Sequence, residues 1–104
     1  EIYKSNLNKT MRHLSKSLRQ FYSGDYMIAL QEIEIALQLN PELAVAYARR
    51  GTIFYKLGEQ QKAIINWNLA LQLDPKYEEV REILEAAKEG TLETIPKQKQ
   101  PGGL

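Results

Sequence analysis

The sequence predicts an all-α fold, an α-solenoid of antiparallel helical hairpins with about five helices, on three observations. The stretches IALQEIEIALQLNP and KAIINWNLALQLDP are close copies of each other and end at Pro41 and Pro75, 34 residues apart (75 − 41). A fixed period of that length in a helical pattern marks a unit that cannot bury its own apolar face and must stack on copies of itself. Apolar residues recur at spacings of three and four, the period of one helical face. Small residues, Ala63 and Ala70 among them, recur at helical spacing, where they let a partner helix approach closely.

Taken in order, Leu7, Met11, Leu14, Leu18 and Phe21 place one apolar stripe on a long first helix, and Gly24 stops it. Asp25 is expected to cap a second helix that carries Ala29, Ile33, Ala36, Leu37 and Leu39 as far as Asn40. Asn40 and Pro41 then read as N-cap and first residue of a third helix, because proline has no N–H to lose there and its φ is already helical. That helix runs to Leu57, and Gly58 tolerates the positive φ of its end. A fourth helix spans about Glu59 to Leu73 with Ala63, Trp67, Ala70 and Leu71, and Asp74 and Pro75 repeat the earlier start. The fifth, Pro75 to Glu89, keeps an apolar line at Tyr77, Val80, Leu84 and Ala87. Elsewhere it carries Glu78, Glu79, Arg81, Glu82, Glu85, Lys88 and Glu89, the pattern of a cap with a wet outer face. Residues 91–104, with Pro96, Pro101 and two glycines, read as a flexible tail.

With 104 residues, 43% hydrophobic and 26% charged, the chain has the composition of one soluble domain with one core. The opening at Glu1, with neither Met nor an apolar leader, suggests a piece of a larger protein, and the compartment stays open. No apolar run approaches the roughly 18 residues that cross a bilayer, so no membrane insertion is expected. The net charge of +1 is unevenly spread. Lys4, Lys9, Arg12, Lys16 and Arg19 crowd the first helix, whereas residues 25–48 carry Asp25, Glu32, Glu34 and Glu42 with no base. The expected reading is two solvated faces attracting each other.

Catalysis and cofactors find little footing. There is no Gly-rich phosphate loop and no nucleophile with a His partner, so the chain reads as a non-enzyme without cofactors. His13 is the sole histidine and there is no cysteine, which leaves a metal site without ligands at the right spacing and makes His13 a surface residue. A near-neutral chain offers too little charge to neutralise phosphates, and nucleic acid is not expected as a partner. Trp67 reads as core.

The second unit, Tyr47-x2-Arg50-Gly51-x2-Phe54, then Gly58, Ala63-x3-Trp67-x2-Ala70 and Pro75, resembles the tetratricopeptide repeat. The first unit matches at Gly24-Asp25-Tyr26, Ala29, Ile33, Ala36 and Pro41. Its first helix aligns only when one residue is dropped, which puts Leu14, Leu18 and Phe21 in the three buried slots, Leu18 where the family has Gly or Ala. Arg81, Glu85 and Lys88 depart from those slots in the third element, as in the family's terminal solvating helix. The resemblance implies a right-handed superhelix with boundaries at 1–9 (extension of the first helix), 10–41 and 42–75 (repeats), 76–90 (capping helix) and 91–104 (tail).

It also implies function. In that family the first helices of successive repeats line a concave groove for a peptide or helix. The positions carried over are Arg12, Ser15, Arg19 and Tyr22 from the first unit, and Val45, Ala48, Arg49, Thr52, Tyr55 and Lys56 from the second. Such a groove would be basic, suited to an acidic or carboxylate-ended segment of another protein. A sub-family that grips chaperone tails uses Lys, Asn, Asn, Lys and Arg where this chain has Ser15, Arg19, Arg49, Glu79 and Ile83, which speaks against that ligand. The alternative is a structural oligomerisation or packing module within a larger protein: the first stripe also has the 3.5-residue spacing of a coiled-coil seam, so Leu7 and Met11 would face another chain, another domain or the second helix.

Overall fold

The computed structural model describes residues 2–90, which form five α-helices: α1 Ile2–Tyr22, α2 Tyr26–Leu39, α3 Ala44–Lys56, α4 Gln60–Leu73 and α5 Glu78–Glu89. The expected tail, 91–104, lies outside the described residues. Helices α1 and α2 pair as one hairpin and α3 and α4 as the next; α3 docks back on α2, and α5 docks on α4.

The two hairpin turns are built alike. Gly24 has φ 87° and Gly58 φ 83°. In each, the N–H after the glycine reaches back five residues, Asp25 to the Gln20 carbonyl and Glu59 to the Phe54 carbonyl, both at 2.8 Å. That is the αL helix end, which a Cβ would strain.

The proline turns correct the expected helix starts. Asn40 and Asp74 are not N-caps of the next helix but C-caps of the previous one, with φ, ψ of −146°, 88° and −138°, 88°. Proline forces the residue before it out of the helical region. Pro41 and Pro75 then open a turn, so α3 and α5 begin three residues later, at Ala44 and Glu78. The Tyr47 hydroxyl donates to the Pro41 carbonyl at 2.9 Å, and the Arg81 guanidinium donates to the equivalent Pro75 carbonyl. Asp25 precedes α2 as expected but makes no side-chain cap bond.

The buried stripe of α1 is Thr10, Leu14, Ser17 and Phe21, not the line through Leu7, Met11 and Leu18. Leu7 and Leu18 are half-buried and Met11 is 51% exposed. Ser17, 1% exposed, takes the small-residue slot and donates its hydroxyl to the Ala29 carbonyl at 2.8 Å. Its counterpart 34 residues on is Gly51, so the first hairpin aligns with the second without dropping a residue. At Gly51 the approach is tight. A Cβ there would lie 2.6 Å from Trp67 Cδ1 and Nε1 and 3.0 Å from the Ala63 carbonyl. Trp67 is buried, as read from the sequence, with its Nε1 unpartnered against that backbone.

The core is two clusters, and α3 contributes to both. Leu14, Phe21, Ala29, Ile33, Ala36 and Leu37 of the first unit meet Ala46 and Ile53 of α3, while Ala48 on another side of α3 joins Ala63, Trp67 and Ala70. Val80, Leu84 and Ala86 of α5 close that second cluster, with Tyr77 and Ala87 half-buried beside them. Helix α3 thus buries two sides, one on each neighbouring hairpin.

Candidate partner-binding groove

At about 100° per residue, equivalent residues of α1 and α3 occupy the same angles round their helices. Measured from the small-residue slot, Ser17 or Gly51, the sector at roughly 100–160° holds Met11, Ser15, Leu18 and Tyr22 on α1 and Val45, Arg49, Thr52 and Lys56 on α3. These two rows lie away from the α2 and α4 contacts and make up the candidate inner face. They are joined where the Arg49 guanidinium approaches the Leu14 carbonyl at 3.5 Å. The corresponding row on α5 is Glu79, Ile83 and Ala86.

Not all of the expected groove residues are together. Ser15, Tyr22, Arg49, Thr52 and Lys56 share the inner face. Arg12 and Arg19 do not, for they stand roughly 200–220° from the slot, where α3 has Ala46 and Ile53. Those two α3 residues are 0% and 1% exposed because they dock on α2, whereas α1 has no hairpin before it among the described residues and both arginines are exposed. Arg12 and Arg19 therefore lie on the side of α1 that no described helix covers, one step in register away from the row of Ser15 and Tyr22. Tyr55 turns toward α4, its ring 6.3 Å from that of Trp67, and serves the core.

The inner face is consequently part apolar and part basic. Met11, Leu18 and Tyr22 form a wall on α1, with Tyr22 59% exposed, and Arg49 and Lys56 supply charge on α3. Tyr77, from the turn before α5, borders Arg49. Its phenol titrates above the usual value of 10.0, chiefly because burial penalises the phenolate and next because Glu79 repels it, while Arg49 pulls the other way. With the corrected register, the positions of the chaperone-tail grip become Leu14, Leu18, Arg49, Glu79 and Ile83, of which Arg49 alone can hold a carboxylate.

The joint behind the groove was not legible as a unit. Arg50 reaches both neighbours of α3: its Nη1 donates to both Glu34 carboxylate oxygens of α2 at 2.9 and 3.0 Å, and its Nε to Asn66 Oδ1 of α4 at 2.7 Å. Its guanidinium also lies 5.2 Å from the Tyr47 ring centroid. Between α1 and α2, His13 Nδ1 lies 2.6 Å from Glu32 Oε1, so His13 is partly buried and held, not a free surface residue. Among the described residues no helix is long and apolar enough to cross a membrane.

Residues 44–77 match the sequence model of the tetratricopeptide repeat, the segment from the start of α3 to the turn before α5. The chain is 30% identical over 74 residues, 71% of its length, to an Arabidopsis thaliana protein named TPR repeat-containing thioredoxin TDX. It is 32% identical over 63 residues, 61% of its length, to the Caenorhabditis elegans stress-induced-phosphoprotein 1. In both cases it spans 20% of the relative's own length. A fold of stacked helical hairpins at a 34-residue period, with this match at its second unit, defines a class of repeat protein. The chain belongs to the tetratricopeptide-repeat family.

Proposed function

We propose that the chain is a non-enzymatic protein-interaction module, an adaptor whose two repeats, 10–41 and 42–75, are held by the α5 cap and present the inner face to a segment of another protein. The observation that supports it most is the pairing of equivalent rows on α1 and α3, Met11, Ser15, Leu18 and Tyr22 beside Val45, Arg49, Thr52 and Lys56, kept open while Arg50 locks the hairpins behind them. The wall on α1 suits apolar side chains of the partner, and Arg49 and Lys56 suit acidic ones. The ligand is an extended or helical segment that carries both. From so small a face the affinity would be micromolar, about −8 kcal/mol.

Affinity capture from lysate with three immobilised forms tests it: wild type, Arg49→Glu/Lys56→Glu and Arg12→Glu/Arg19→Glu, each confirmed folded by circular dichroism. A partner lost with the first variant and retained by the second is expected. The reverse pattern would move the site to the end of the stack.

A further inference from the structure

Helix α3 has two packed sectors: Ala46 and Ile53 dock on α2, and Gly51 closes on α4. The 34-residue period carries both sectors to the outer helices. On α5 the first is filled, since Val80 and Ala87 pack with the α4 residues, while Glu85 stands at the Gly51 position and is exposed, as are Glu78 and Glu89 in the same sector. On α1 the second is filled, since Ser17 packs on Ala29, while Arg12 and Arg19 stand at the Ala46 and Ile53 positions and are exposed, with Lys9 and Lys16 beside them. Each outer helix is therefore uncovered, among the described residues, in the sector that on α3 meets the next hairpin. The two uncovered sectors point in opposite directions along the stack.

Their charges are opposite as well. Helix α1 carries five bases and no acid, and α5 carries five glutamates against Arg81 and Lys88. Among the described residues Lys9, Arg12, Lys16 and Arg19 have no ion-pair partner within the fold, and the Glu78 carboxylate meets only the Arg81 guanidinium, at 3.9 Å. We propose that the acidic face of α5 on one copy binds the basic face of α1 on another, head to tail. Charge complementarity selects this occupant: two α1 faces or two α5 faces repel, whereas α5 against α1 pairs both. The spacing agrees. Arg12 and Arg19, Lys9 and Lys16, and Glu78 and Glu85 each lie seven residues apart, two turns or about 10 Å along either helix, so carboxylates and bases meet in step. Glu85 stands where Gly51 admits Trp67, so the helices meet through the ends of long side chains and do not close as α3 does on α4. Because the two faces differ, the contact is heterologous and builds short chains of copies, not a closed dimer. Contacts between exposed charges are weak and screened, which confines the association to low ionic strength. Neither Arg49 nor Lys56 of the groove takes part.

Sedimentation velocity of the full chain from about 1 to 200 µM, in about 0.02 M and about 0.5 M salt, reads it directly. Association that grows with concentration in low salt and disappears in high salt is expected. Arg12→Glu/Arg19→Glu and Glu85→Lys/Glu89→Lys, each confirmed folded by circular dichroism, should each be monomeric alone, because each keeps only one of the two faces. Mixed in equal amounts, they rebuild a single native contact, so the mixture should form a dimer and nothing larger. Arg49→Glu/Lys56→Glu changes the net charge as much as the first variant does and should associate like the wild type. Monomer at every concentration in low salt, association that survives either reversal alone, loss of association in the groove variant, or a mixture that stays monomeric overturns the proposal.

Discussion

The two hairpins share one backbone plan and differ in what stands at equivalent positions. Arg12 and Arg19 of α1 become Ala46 and Ile53 of α3, Lys16 becomes Arg50, and Ser17 becomes Gly51. Helix α3 lies between two hairpins and must bury two sides, so it carries small and branched apolar residues on both. Among the described residues helix α1 packs chiefly on α2, and its other side carries charge. The difference teaches that a repeat position has no fixed chemistry: its residue depends on what packs against it. At the far end the same logic puts Glu85 of α5 at the slot that Ser17 and Gly51 fill, and it is exposed.

The comparison breaks most severely if the end of the stack is copied into its middle. Ile53→Arg buries an unpaired charge against α2 and should cost about 3–5 kcal/mol, read as loss of cooperative thermal unfolding, whereas Arg19→Ile should fold normally. An unaffected Ile53→Arg would show that α3 does not dock on α2 as described. Next comes the slot. Gly51→Ala drives a methyl into Trp67 and should lose about 1–3 kcal/mol in urea titration. Ser17→Ala removes one hydroxyl bond to the Ala29 carbonyl and should lose about 1 kcal/mol or less.

Arg50→Ala sharpens the contrast further. It deprives the buried Asn66 oxygen of its donor and severs the link to Glu34, at a cost of about 2 kcal/mol, kept modest because Glu34 is half exposed. Lys16→Ala, its exposed counterpart, should stay within about 0.5 kcal/mol, and equal losses in the two would deny Arg50 its joining role. The smallest effect is in alkali. Tyr77 binds its proton more tightly folded than unfolded, so its stabilisation is complete below pH 10.0 and is lost as pH rises through the higher folded value. The difference in melting temperature between wild type and Tyr77→Phe should therefore be constant below that pH and shift against the wild type above it; a difference that stays constant would mean the phenol is not buried enough to matter.

Much of the fold was readable because it is written twice. The period, the glycine turns, the Ala63, Trp67 and Ala70 contacts and the solvating character of α5 follow from local spacing and sterics. The helix starts after Pro41 and Pro75 are not fixed by residue type, because proline is equally at home in the first helical turn and in the turn before it. The hydrogen-bonded Pro41 and Pro75 carbonyls and the extended Asn40 and Asp74 are conformational facts that residue type does not carry. In α1 hydrophobicity points to Leu7, Met11 and Leu18 beside Leu14 and Phe21, yet Thr10 and Ser17 share the buried stripe with Leu14 and Phe21. A small hydroxyl that satisfies itself on a carbonyl packs more closely than leucine, and a pattern of apolar residues alone cannot register that.

By itself, the sequence determined the helical class, the 34-residue period and the family, since each depends on residue spacing along one chain. Only the tertiary structure decided which face of each helix meets a neighbour. That choice rests on the register between hairpins, and a shift of one residue turns a side chain by about 100°. It turned Arg12 and Arg19 away from the row of Ser15 and Tyr22, and made Arg50 the link between hairpins.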